Sequence, residues 1–208
     1  MTGGAGAAGL LVLAQTLTNL AILPAGAGLP SGWKLSRMQG VDPPAYEVTR
    51  LHTLRVTAMG QGATATYRLR SPILAPQSVR HGTLTWRWRA GTPLHAADLK
   101  RRDGDDSPIR VVITFRDGRT IAYAWGNREG RGESFASWAG RNRMVVVLQR
   151  AEDADGSWHE ERRDPFSDYR RLWNSAPKSI VAVGVSSDSD GLKVRAVGEM
   201  GDITWLRP

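Results

Sequence analysis

Beyond residue 45 the chain alternates apolar and polar side chains in short runs, the period-2 pattern of strands that bury one face. The runs cover 46–50, 53–59, 63–69, 83–90, 110–115, 120–125, 144–148, 180–186, 192–197 and 202–206. Short strands at this density predict an all-β fold, an antiparallel β-sandwich of jelly-roll-like form with one or two short helices. Gly60-Gln61-Gly62, Asp117-Gly118, Asp155-Gly156 and Asp190-Gly191 lie between runs and predict hairpin turns, because these residues tolerate the positive φ angles that tight turns need. Helical spacing is confined to one clear segment. Asp164 followed by Pro165 reads as an N-cap and first turn, after which Phe166, Tyr169, Leu172 and Trp173 share a face. Leu94 to Arg101 offers a second turn or two, with Leu94 and Leu99 inward.

The first 27 residues differ in kind, because they carry no charged side chain. A mostly apolar run from Leu10 to Leu23 precedes Pro24 and Ala25-Gly26-Ala27, the small-x-small pattern that signal peptidase accepts. The run is shorter than the ~20 residues a spanning helix needs, and Gln15, Thr16, Thr18 and Asn19 interrupt it. The expectation is a signal peptide over 1–27, one sandwich domain over 28–208, a periplasmic or secreted location, and no membrane span after processing. The missing basic residue ahead of the run departs from the usual signal.

Charge and cysteine content narrow the partners. The formal net charge is +8, and a basic surface attracts carboxylate or phosphate groups. For an exported chain those belong to a glycan or another anionic envelope component. Nucleic acid is disfavoured, since no strand carries the aromatic-plus-basic signature of an RNA-recognition sheet. All but four of the 28 basic residues are arginines, scattered along the chain, which GC-rich coding produces without any binding role. There is no cysteine, hence no disulfide and no thiolate ligand. His52, His81, His95 and His159 lack metal-ligand spacing. Calcium is the one conceivable cofactor: Asp153 to Gly156 and Asp188 to Gly191 each read D-x-D-G, a fragment of a calcium loop that a hairpin turn explains equally well.

Candidate chemistry concentrates between Thr83 and Phe115. Side chains two apart on a strand point the same way, so Leu84, Trp86 and Trp88 share one face while Arg87 and Arg89 take the other. The tryptophans either fill the core or form a stacking platform for sugar rings, and Tyr123 and Trp125 pose the same alternative. In the acidic loop, Asp105 or Asp106 either pairs with Lys100 or Arg110 or contributes polar ligand contacts. The candidate ligand-binding set is Trp86, Trp88, Lys100, Asp105, Asp106, Arg110, Tyr123 and Trp125, with no catalytic residue and no metal ligand assigned. The leading function is a non-catalytic, exported glycan-binding sandwich. One alternative is an enzyme acting on envelope polysaccharide through Asp105 or Asp106 and a carboxylate from the Asp164 to Asp168 segment, which requires two carboxyl groups flanking one bond. Another is a structural envelope protein that binds protein.

Several motifs together resemble a bacterial family, domain of unknown function 3047, whose members are uncharacterised and mostly exported. They are W-R-W-R at 86–89, Lys100, G-D-D at 104–106, Arg110, Phe115, Y-A-W-G at 123–126, G-S-W at 156–158, E-R-R-D at 161–164 and D-Y-R at 168–170. The Asp188/Asp190 pair and Gly201-Asp202-Ile203 complete the set. The resemblance spans about 33–206 and implies an exported β-rich domain without a transferable activity. This chain departs from the family pattern at D-S-D-G-L, where D-T-D-N-T is expected, and at Glu199-Met200, where aromatics are expected.

Overall fold

The computed structural model describes residues 13–37, 40–76 and 82–207. Its strands are β1 (Ala14–Thr16), β2 (Trp33–Arg37), β3 (Ala45–Val48), β4 (Leu54–Met59), β5 (Gly62–Ile73), β6 (Thr83–Ala90) and β7 (Ser107–Phe115). They continue as β8 (Thr120–Trp125), β9 (Ser134–Ser137), β10 (Gly140–Gln149), β11 (His159–Arg163), β12 (Ile180–Asp188), β13 (Arg195–Met200) and β14 (Thr204–Leu206), with one helix, α1 (Pro165–Trp173). One sheet runs β1-β14-β6-β13-β4-β3, with β11 also paired to β6; the other runs β2-β5-β12-β7-β8-β10-β9. Every pairing is antiparallel except β8 with β10. The fold is an antiparallel, jelly-roll-like β-sandwich, as the alternation predicts. No described helix is long and apolar enough to cross a membrane.

The core lies between the sheets, and period-2 geometry fills it. Leu84, Trp86, Trp88 and Ala90 of β6 face inward against Tyr123 and Trp125 of β8, with ring centroids 5.4 Å apart for Trp86–Tyr123 and 5.5 Å for Trp88–Trp125. Arg87 and Arg89 point outward, stacking on Trp158 at 4.8 and 4.7 Å. The helix closes one end. Asp164 caps it by accepting from the backbone N–H of Phe166 and Ser167, and Phe166 and Tyr169 pack on Phe115.

The structure revises several local expectations. Of the four turn motifs, only Asp117-Gly118 closes a hairpin, β7–β8. Gly60-Gln61-Gly62 carries the chain from β4 in one sheet to β5 in the other, and Asp190-Gly191 crosses from β12 to β13 in the same way. Turn chemistry fixes backbone angles but not which sheet the next strand joins. Leu94 to Arg101 forms turns and no helix, although Leu94 and Leu99 are buried as expected.

The segment read as an export signal has an unexpected second half. Residues 1–12 lie outside the described residues, but β1 pairs with β14, and Leu17 and Leu20 are buried in the core. The Asp202 carboxylate holds this segment. It accepts from the Thr18 hydroxyl at 2.7 Å and from the backbone N–H of Leu20 at 2.6 Å and Ala21 at 3.3 Å.

Candidate functional site

The second sheet has two faces with different chemistry. Its inner face carries Val111, Ile113, Phe115, Ile121, Val183 and Val185 into the core. Its outer face carries the alternate residues: Thr64 and Thr66 of β5, Gly184, Ser186 and Asp188 of β12, Arg110, Val112 and Thr114 of β7, Thr120 and Ala122 of β8, and Arg143 and Val145 of β10. These are mostly small or hydroxylated side chains. They leave a cleft of about 410 Å³, within the ~300–1,000 Å³ range of small-ligand sites. Toward the other end of this face, Leu99 from the 91–106 loop covers Ala124 and Val147 and closes the surface.

Trp138, in the turn between β9 and β10, stands at the cleft edge. It is 39% exposed, whereas Trp86, Trp88 and Trp125 are at most 3% exposed. Its ring is held from two sides: the indole N–H donates to the Asp105 carboxylate at 2.6 Å, and the Arg102 guanidinium lies 5.5 Å from the ring centroid. Asp105 in turn accepts from Arg110 at 2.8 Å. Arg110 is 8% exposed, also donates to the Asp105 backbone carbonyl at 2.6 Å, and keeps a buried Nε–H without a partner among the described residues.

Asp106, Asp188 and Asp190 converge beneath this corner, with carboxylate oxygens within 4.8 Å of one another. Glycines permit the approach. A Cβ on Gly62 would meet the Asp188 carboxylate at 2.5 Å, and one on Gly191 would meet the Asp103 carbonyl at 2.6 Å. Burial pushes the Asp188 carboxyl up to about 8, against the opposing pull of Arg110. Burial also raises Asp106, opposed by the N–H groups of Leu192 and Gly191 that its carboxylate accepts. The three carboxylates have the oxygen donors a calcium ion takes. Arg110 already stands beside them as counter-charge. The other D-x-D-G segment does not converge: Asp153 pairs with Arg131, and Asp155 accepts from the Ser157 N–H. His81 lies outside the described residues, and among the described residues no histidine joins a metal-type cluster.

The structure divides the predicted site residues. Trp86, Trp88, Tyr123 and Trp125 are 0–3% exposed and present no ring face to a ligand, which corrects their reading as a stacking platform. The cause is the second sheet, which covers the apolar face of β6. Lys100 pairs with Glu133 at 2.5 Å and is not part of the cleft lining. Asp105 and Arg110 do line the cleft, whereas adjacent Asp106 turns away to hold the Gly191–Leu192 turn. The carboxylate pair of the enzyme alternative does not form. Asp168 accepts from the inward-facing Tyr123 hydroxyl at 2.8 Å and from Arg163, on the opposite side of the sheet from Asp105, and Asp164 is the helix cap. Sequence reasoning missed Trp138. Its signal was a tryptophan beside Ala139-Gly140, outside every alternating run, where no strand face could bury it.

Three sandwich structures resemble the chain at low identity. The winged bean acidic lectin complexed with methyl-α-D-galactose is 8% identical with a TM-score of 0.46, covering 94% of this chain and 98% of that one. A xyloglucanase domain from Sinorhizobium fredii in complex with cellobiose is 12% identical with a TM-score of 0.46, over 86% and 95%. A thermo-stable cellulase derived from one of Rhodothermus marinus is 10% identical with a TM-score of 0.45, over 95% and 99%. The strand order above, not these likenesses, defines the fold. No curated protein matches. The cleft residues from Ser36 to Asp188 all fall within residues 31–204, which match the family described as "Protein of unknown function (DUF3047)", and the chain belongs to that family.

Proposed function

We propose that the cleft binds a carbohydrate chain and that the protein works as an exported glycan-binding sandwich. The observation that carries this is Trp138, a ring fixed by Asp105 and Arg102 at the edge of a cleft floored with hydroxyls. A sugar has an apolar C–H face and a rim of hydroxyl groups. An aromatic plane meets the first, and Thr64, Thr66, Thr114, Thr120 and Ser186 with Asp105 and Arg110 suit the second. Holding the indole through its N–H lowers the ordering cost when a ligand stacks on it. The test is a glycan array and a pull-down on cell-wall polysaccharide with wild type and Trp138→Ala. Retention by wild type that the variant loses, at an unchanged melting temperature, supports the reading; a folded wild type that retains no glycan sinks it.

One observation favours chemistry at the same place. Asp188, with a carboxyl raised to about 8, lines the cleft with Asp105, and Arg110 stands beside both. A proton-holding carboxyl near a second carboxylate is how glycosidases divide acid and base work. Release of reducing ends by wild type and not by Asp188→Asn, with binding retained, would establish hydrolysis in place of binding alone.

A further inference from the structure

The two ends of the second sheet carry charge in different states. β5, β12, β7 and β8 alternate in direction and β10 runs parallel to β8, so β5 and β7 finish where β12, β8 and β10 begin. At that end Arg68 and Arg70 stand late in β5, Arg116 follows β7, Lys178 precedes β12 and Arg141 lies at the start of β10. The backbone ties these positions into one layer. The Arg116 N–H donates to the Ser179 carbonyl at 2.9 Å, and Ile180 is in register with both Phe115 and Ile73. All five basic side chains are exposed, and none has an ion pair or hydrogen-bond partner among the described residues. The acid that stands among them, Asp117, is already held by Arg119 and the Tyr169 hydroxyl.

At the opposite end of the sheet the cations are paired: Lys100 with Glu133, Arg101 with Asp103, Arg110 with Asp105, Arg131 with Asp153 and Arg150 with Glu152. Charge is therefore polarised along the strands, neutralised locally at one end and left open at the other. Such a separation orients a protein in the field of a charged surface. Leu74 belongs to the open end, one residue beyond Ile73, and is 73% exposed. A soluble polyanion, hydrated throughout, gains nothing from a leucine held out among cations. A surface with anionic groups above hydrocarbon does, because the apolar side chain enters the headgroup boundary while the cations stay with the phosphates. The five cations spread from β5 to β10, four spacings in the strand order, or roughly 19 Å at about 4.8 Å per strand. That is a broad footprint, not a pocket for one headgroup.

We propose that this end of the second sheet docks on an anionic phospholipid bilayer, with Arg68, Arg70, Arg116, Arg141 and Lys178 against the headgroups and Leu74 inserted between them. The attachment is carried by side chains and is weakened by salt. None of these residues lines the cleft, so the docking stands independently of the carbohydrate reading.

The experiment measures co-sedimentation of the full chain with phosphatidylcholine vesicles, with and without phosphatidylglycerol, at low and high salt. Wild type is expected to bind only the vesicles that contain phosphatidylglycerol, and to leave them as salt rises. Each cation near an anionic surface is worth about fivefold in partition, so Arg68→Gln, Arg70→Gln, Arg116→Gln and Lys178→Gln together should weaken binding at least about fiftyfold. Leu74→Ser alone should weaken it about three- to tenfold. A charge-matched variant at exposed cations elsewhere, Arg50→Gln, Arg162→Gln, Lys193→Gln and Arg195→Gln, should keep most of the binding. All these side chains are exposed, so melting temperatures should stay at the wild-type value. Binding that ignores phosphatidylglycerol, a patch variant within twofold of wild type, or a charge-matched variant that loses as much as the patch variant would each overturn the inference. Leu74→Ser bound like wild type, with dextran sulfate binding lost in the patch variant, would also overturn it and assign this end to a soluble polyanion.

Discussion

Leu20→Ala tests whether the apolar N-terminal segment is part of the folded domain. Leu20 is 0% exposed and belongs to the same core cluster as Leu17 and Ile203. The segment is held there by packing, the β1–β14 ladder, the Asp202 contacts, and hydrogen bonds from the Leu17 N–H to the Ile203 carbonyl and from the Ile203 N–H to the Thr18 hydroxyl. Truncating a fully buried leucine costs about 2–5 kcal/mol, set by how far the site can collapse around the cavity. Leu20 sits near the edge of the sandwich, where collapse is easier than at its centre, so a value of about 3 kcal/mol is expected. For a chain of this size about 2–4 °C of melting temperature follows each kcal/mol, which gives a drop of about 6–12 °C. Urea unfolding should show the same loss as a lower midpoint with an unchanged slope. Asp202→Asn, which keeps the shape and removes the charge received by three donors, should fall between wild type and Leu20→Ala. Melting temperatures for both variants within about 1 °C of wild type would refute the reasoning, and would mean that residues 13–23 contribute nothing to the folded state.

Two other outcomes follow from the core and the acidic corner. Trp88→Ala removes a side chain that is 0% exposed and leaves Glu161 without the indole donor at 3.0 Å, so a loss of about 3–5 kcal/mol is expected by chemical denaturation; its binding should disappear through unfolding, and a stable Trp88→Ala protein with weakened binding would contradict the core assignment. Asp188 makes stability depend on pH. Its folded value of about 8 exceeds the ordinary carboxylate range near 4, so the folded state holds the extra proton between those limits, and stability falls as pH rises from about 4 to about 8. Asp188→Asn should flatten that decline in urea midpoints taken at pH 5 and pH 7.5, and identical slopes in both proteins would show that the group does not titrate there.

The sequence reveals the sandwich because most strands bury one face, and that leaves period-2 alternation in the text of the chain. T-L-T-W-R-W-R-A predicts β6 residue for residue. The strands it hides are those without an apolar stripe or with a misleading one. β11 reads H-E-E-R-R and is a polar strand recruited by backbone pairing to β6, while β9 is four residues long. β1 lies inside an apolar run whose composition matches an export signal. The site was half legible. The pairing of Asp105 with Arg110 follows from their closeness in sequence, at the end of a loop and the start of β7, but the choice between a buried and an exposed face for the tryptophans depends on where the second sheet lies, which alternation cannot say. The floor of Thr64, Thr66, Ser186, Thr114 and Thr120 was visible as small polar residues at period 2, without any sign that they face a common cleft. Asp188 and Asp106 meet through the pairing of β12 with β7, which sets Asp188 opposite Ser107, and through the turn after β12 whose Gly191 and Leu192 N–H groups donate to Asp106, long-range contacts that no local pattern encodes.

The central claim is that Trp138 and the open face of the second sheet form a carbohydrate site. Its most direct test is calorimetric titration of Trp138→Ala and wild type with whichever oligosaccharide the wild type retains. The account predicts at least a tenfold loss of affinity, about 1.4 kcal/mol, with melting temperatures within about 2 °C of each other. Equal affinity of the two proteins for that glycan would contradict it.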